Sequence, residues 1–147
     1  MSDSTDKTLQ LVGMIYDAAL DESKWTPFLE RFASAIGGSS ALIRDVDLQT
    51  HNAGFVASTG YDPAWQAAYC NHFVKIDYLT TGLARFNEGA VKTSDQVFQL
   101  SKQCKTEYYN DYAIPQDKPH AIGTFLVKNG NETLMFAAQR GKHAGAF

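Results

Sequence analysis

The sequence predicts an α+β domain: an antiparallel sheet of four or five strands, flanked by helices and preceded by a helical hairpin. Two observations carry this reading. Ala121–Lys128 and Glu132–Gln139 flank Asn129-Gly130, a dipeptide whose tolerance of positive φ suits a tight hairpin turn, and Ser40–Val46 and Ala53–Ser58 flank the polar connection Asp47–Asn52. The segments before and between these pairs carry apolar residues at helical spacing with recognisable start and stop signals. Hairpins in place of strand–helix–strand crossovers imply antiparallel pairing, with the central helices laid on one face of the sheet.

The elements follow in order. Residues 1–6 are polar and expected to be disordered. Leu9, Val12, Tyr16, Ala19 and Leu20 then recur at three and four residues, which predicts an amphipathic helix capped by Thr5 or Asp6. A second helix is predicted from Thr26 as N-cap and Pro27 as first residue, burying Phe28, Leu29, Phe32 and Ile36 and stopping at Gly37-Gly38. After the first strand pair, Asp62 and Pro63 signal the start of a helix running to Phe73, and Asp77 offers a cap for a short helical segment through Leu83 and Phe86. Thr93 with Gln96 forms a capping box, and Lys102–Ala113 is predicted as a further helix ending before Pro115.

Composition narrows the function. With 147 residues and 44% hydrophobic content the chain suffices for one domain with a core. Thirteen basic against sixteen acidic residues give a net charge of −3, and no window concentrates Lys and Arg, so direct nucleic-acid binding is not expected. No apolar run approaches the roughly 20 residues of a membrane span, and the start lacks the regions of a signal peptide. A cytoplasmic chain without membrane association is expected. Cys70 and Cys104 lack metal-ligand spacing and are read as reduced thiols.

The candidate site centres on Tyr61, Trp65 and Tyr69, four residues apart on one stripe of the predicted third helix, with Asp77 beyond it. Each ring joins a broad apolar face to one polar atom, which suits a pocket that encloses and orients a small organic molecule. Core packing accounts for Trp65 and Tyr69 equally well, Tyr61 also fits a staple at the helix start, and the Asp77 carboxylate serves either as a helix cap or as a ligand anchor. Tyr108 and Tyr112 share a face of the next helix. Tyr112 joins the candidate pocket, while at least one of the two is expected to pack under the sheet. His51, His72, His120 and His143 form no metal-binding pattern, and no nucleophile elbow or phosphate loop is present, so neither a catalytic residue, a metal nor a cofactor is expected.

Ile15–Asp21 with Trp25, the block Gly60–Trp65, and Tyr108–Tyr112 before Pro115-Gln116 together resemble the N-terminal sensor domain of LuxR-type helix-turn-helix regulators, specifically sensors that are PAS/GAF-like. The final Gly145-Ala146-Phe147 resembles the point where such sensors pass into a connector. More distantly, Tyr61, Trp65, Tyr69 and Asp77 resemble the pattern of acyl-homoserine-lactone-binding domains, in which the Trp and Asp hold the lactone head group. Here Tyr78 stands where that family usually has proline, and Asp77 follows Tyr69 one residue early. The resemblance implies a sensor fold with a ligand between sheet and helices.

It also implies either a sensor fragment, reaching DNA only through a C-terminal helix-turn-helix absent here, or a stand-alone relative, of which the fragment is the favoured expectation. The expected function is therefore sensing of a small, partly apolar signal or metabolite, in a homodimer formed through the N-terminal helices. Two alternatives stand beside it. One is a small α+β enzyme using Asp77, Tyr112 and His72 or His120 for acid–base chemistry. The other is a dimerisation module without a ligand.

Overall fold

A computed structural model describes residues 2–147 as helices α1 (Ser2–Leu20) and α2 (Trp25–Ala35), strands β1 (Ser40–Asp47) and β2 (Ala53–Thr59), helices α3 (Pro63–Asn71) and α4 (Tyr78–Leu83), strand β3 (Lys92–Thr93), helices α5 (Ser94–Val97) and α6 (Leu100–Gln103), a π-helical turn at Tyr108–Ala113, and strands β4 (His120–Asn129) and β5 (Glu132–Arg140). The five strands form one antiparallel sheet in the order β2-β1-β5-β4-β3. The predicted fold class holds, and both predicted hairpins are present. The two-residue β3 is the fifth strand, too short to leave a periodicity in the sequence.

Both faces of the sheet are covered. Ala41, Ile43 and Ala138 meet Phe28, Leu29 and Ala33 of α2 on one side, with Leu11 and Met14 of α1 behind them. On the other side Leu42, Phe125, Met135 and Ala137 meet Leu79, Leu83 and Val97. Strand β1 thus has core on both faces, which is why its apolar run shows no clean alternation.

Two bulges set which side chain faces which layer. Ile43 pairs with Ala57 but Arg44 pairs with Phe55, leaving Val56 as an extra residue in β2. Ala57 therefore joins the α2 side while Phe55 packs on the opposite side with Tyr61 and Tyr69. The same device recurs in β4, where Phe125 pairs with Met135 and Val127 with Leu134, leaving Leu126 over.

Several sequence expectations change. Helix α1 starts at Ser2, ahead of Thr5 and Asp6, so residues 2–6, expected to be disordered, belong to its first turns, and Met1 lies outside the described residues. Its inward face is Leu11, Met14 and Ala18, whereas Leu9, Val12, Tyr16 and Leu20 are exposed. Both sets satisfy helical spacing, and the docking of α2 decides between them. Helix α2 begins at Trp25 instead of after Thr26, because a 3-10 turn at Glu22–Lys24, capped by Asp21, feeds directly into it. Pro27 is accommodated because the first-turn N–H groups have no helical partner to lose.

The expected helix over Lys102–Ala113 divides in two. The Thr106 hydroxyl donates to the Gln103 carbonyl at 2.7 Å and accepts from the Tyr109 N–H at 3.1 Å, ending one helical segment and capping the next. Asp62, Pro63 and the Thr93–Gln96 capping box stand as the sequence predicts. The third helix runs from Pro63 to Asn71, so Tyr61 lies before its cap and off the stripe of Trp65 and Tyr69, and Phe73 falls in the following 3-10 turn.

Candidate functional site

Between the sheet and the helices of its second face lies a sealed polar cluster built on Asp77. The Asp77 backbone is extended, and its carboxylate caps α4: Oδ1 accepts from the N–H groups of Leu79 at 3.0 Å and Thr80 at 3.3 Å. Oδ2 accepts from the Tyr69 hydroxyl at 2.8 Å, the Thr80 hydroxyl at 2.8 Å and Nη2 of Arg44 at 3.0 Å. Five donors converge on a group with about four lone-pair sites, so no acceptor capacity is left over. Asp77 is 1% exposed and Arg44 is 3% exposed.

Arg44 enters from β1, where Leu42 and Val46 on the same face are core residues. Its guanidinium carbon lies 3.8 Å from the centre of the Tyr69 ring, a cation–π contact from which water is excluded. Burial alone would lower the Arg44 pKa; the fields of Tyr69 and Asp77 reverse this and raise it, so the guanidinium stays charged. Arg44 Nε is buried and has no hydrogen-bond partner.

A narrow cavity opens beside this cluster. Its walls include Arg44, Tyr61, Asp77, Tyr78, Tyr108 and Tyr112, with Lys118 and Pro119. The free space is about 20 Å³, enough for a single water molecule. Burial pushes the phenols of Tyr69, Tyr78 and Tyr108 well up, and that of Tyr112 up to about 12, so every hydroxyl around the cavity is neutral and able to donate at neutral pH. Lys118 Nζ lies 4.8 Å from the centre of the Tyr61 ring, and partial burial lowers its pKa.

The structure distributes the five sequence-selected residues unequally. Tyr61, Asp77 and Tyr112 are cavity walls. Tyr69 is fully buried behind Arg44, and half-buried Trp65 packs edge-on against Tyr112 with ring centres 5.7 Å apart. His72 pairs with Glu107 at 2.6 Å on the surface, and neither it nor His120 is a wall of the cavity. The acid–base trio imagined from the sequence is thus not assembled around this space.

Arg44, Thr80 and Lys118 escaped the sequence reading. Arg44 did leave a signal: a charge in the middle of the apolar run Ala41–Val46, in phase with Leu42 and Val46, requires a buried partner. Among the described residues, no group of three or more His, Cys, Asp or Glu could hold a metal ion, and no helix is long and apolar enough to cross a membrane.

No protein-family model and no curated protein matches this sequence. Among solved structures, the chain is similar to the LBD domain of VqsR from Pseudomonas aeruginosa, with a TM-score of 0.73 over 89% of this chain and 78% of that one. At 13% identity the likeness is one of fold.

Proposed function

We propose that this chain is the ligand-sensing domain of a LuxR-type regulator, binding a small, partly apolar signal in the cavity beside Arg44 and Asp77. The observation that carries the reading is that space, walled by tyrosines and by Arg44, whose buried Nε–H has no partner, on a fold shared with the LBD domain of VqsR, a LuxR-type regulator. Tyr61 and Tyr112 would touch the ligand directly. Trp65 and Tyr69 act from behind, holding Tyr112 and Arg44 in place.

Asp77 has no free acceptor and would anchor the ligand through Arg44. The space must widen for a signal molecule to enter, and the Tyr108–Ala113 turn is the wall to move, because a π-helical turn is a locally strained variant of the helix. Ligand and output are then linked by a population shift between closed and widened arrangements. Output would pass through a DNA-binding domain outside this chain, in a cytoplasmic homodimer joined by the exposed stripe of α1.

Native mass spectrometry of the protein purified from its own host tests the reading. A retained small molecule, released by unfolding, is the expected result. If nothing is retained and no fraction of a host extract raises the melting temperature, the sensor reading fails.

A further inference from the structure

Resting on that reading of the cavity, we propose that its ligand is a small aromatic carboxylate whose anionic group is held by Arg44 Nε and Lys118 Nζ.

Charge is the first argument. The charged side chains among the walls are Arg44, Lys118 and Asp77. Arg44 and Asp77 neutralise one another across 3.0 Å. Lys118 has no carboxylate within salt-bridge distance among the described residues. The neighbouring Asp117 instead accepts the Lys142 N–H through Oδ1 at 2.9 Å. The enclosed space therefore carries a net positive charge next to an unsatisfied, buried N–H. An anion supplies the missing counter-charge and the missing acceptor together.

Hydrogen-bond polarity points the same way. The Asp77 carboxylate is saturated by protein donors, so it cannot receive a ligand hydroxyl or amide, while Arg44 Nε, Lys118 Nζ and the neutral phenols around the space are donors. The complementary ligand is rich in acceptors. Shape supplies the ring: Tyr61, Tyr78, Tyr108 and Tyr112 are among the walls, and a single flat ring between them asks the least widening of a space of about 20 Å³. An anion at this position would also raise the pKa of Lys118, reversing the effect of its burial.

Benzoate and its neutral isostere benzamide separate the possibilities, titrated at neutral pH into the 15N-labelled 147-residue protein and into Lys118→Gln. Saturable benzoate binding that shifts the Arg44 Nε–H resonance is expected, with benzamide at least about tenfold weaker, the scale of one charge-assisted hydrogen bond. Lys118→Gln should bring benzoate down to the benzamide level at an unchanged melting temperature. Absence of saturable benzoate binding, a benzoate preference that survives in Lys118→Gln, or binding that leaves Arg44 Nε–H unmoved overturns the proposal. Equal binding of the two probes with movement at Arg44 also overturns it, yet leaves the cavity standing as a sensor site, and a neutral molecule retained from the host separates the two readings in the same way.

Discussion

Arg44 and Asp77 face each other at 3.0 Å with both side chains closed to solvent, although 33 positions separate them in the chain. Removing one member of such a pair strands the other, so Asp77→Asn is expected to destabilise the domain by about 3–5 kcal/mol. Urea denaturation of the variant beside the wild type measures this. A loss below about 1 kcal/mol would show that Arg44 finds other partners.

Tyr69 contributes in two separable ways, through its hydroxyl to Asp77 and through its ring beneath Arg44. Tyr69→Phe removes only the hydrogen bond and should cost about 1.5–3 kcal/mol, the range for bonds to charged groups. Tyr69→Leu also removes the ring and should cost more. Equal losses in the two variants would deny the cation–π contact any weight.

Buried phenols make stability sensitive to alkali. The Tyr112 pKa rises from 10.0 to about 12 on burial, and those of Tyr69 and Tyr108 rise as well. A raised folded pKa means that the folded state keeps a proton the unfolded chain gives up. Stability is thus full below about pH 10 and falls as the pH climbs toward 12. Tyrosinate absorbance followed through an alkaline titration should rise in one cooperative step coincident with loss of circular dichroism. A gradual rise at pH 10 with structure intact would contradict the burial.

Gly82 sits where a Cβ would come within 2.5 Å of the Val97 Cβ, which brings α4 and α5 into direct contact. Gly82→Ala is expected to cost about 1–3 kcal/mol by overpacking. The pair Gly82→Ala with Val97→Ala should recover part of that loss. Thermal melts of the single and double variants decide it, and strict additivity would sink the explanation.

The outward stripe on α1 gives a prediction about assembly. Leu9 and Tyr16 are 63% and 72% exposed and, seven residues apart, lie on one helix face, which makes that face a candidate contact surface. Replacing both with Glu should shift sedimentation toward monomer while leaving the fold intact. Dimer formation unchanged in this variant would move the interface elsewhere.

What could be read from the sequence was local. Asp62 with Pro63, Thr93 with Gln96, and Asn129-Gly130 each act within four residues, and each stands where the sequence predicts it. The face of α1 was not legible because Leu9, Val12 and Tyr16 compete with Leu11, Met14 and Ala18 at the same periodicity, and only the position of α2 separates them. The interruption at Thr106 was hidden by a residue that is unremarkable in a helix until its hydroxyl finds the Gln103 carbonyl. Of the site, Asp77 and Tyr112 could be named from capping chemistry and aromatic spacing, whereas Tyr61 precedes α3 and reaches the cavity without the helical stripe that singled it out. Lys118 could not, since nothing local distinguishes it from a solvated surface lysine.

Val56, the unpaired residue of β2, also gives sequence length a meaning at this point in the chain. Phe55 and Ala57 stand two apart, yet serve opposite layers, because the intervening residue bends out to solvent. Forcing Val56 into the ladder would put Phe55 and Ala57 on a common side, since residues two apart in a regular strand share a face. Deleting Val56 would instead leave them adjacent and still opposed, with Ile43 facing Ala57 and Arg44 facing Phe55 in an unbroken ladder. The chain can thus lose a residue here and keep both layers, whereas it cannot keep the residue and lose the bend.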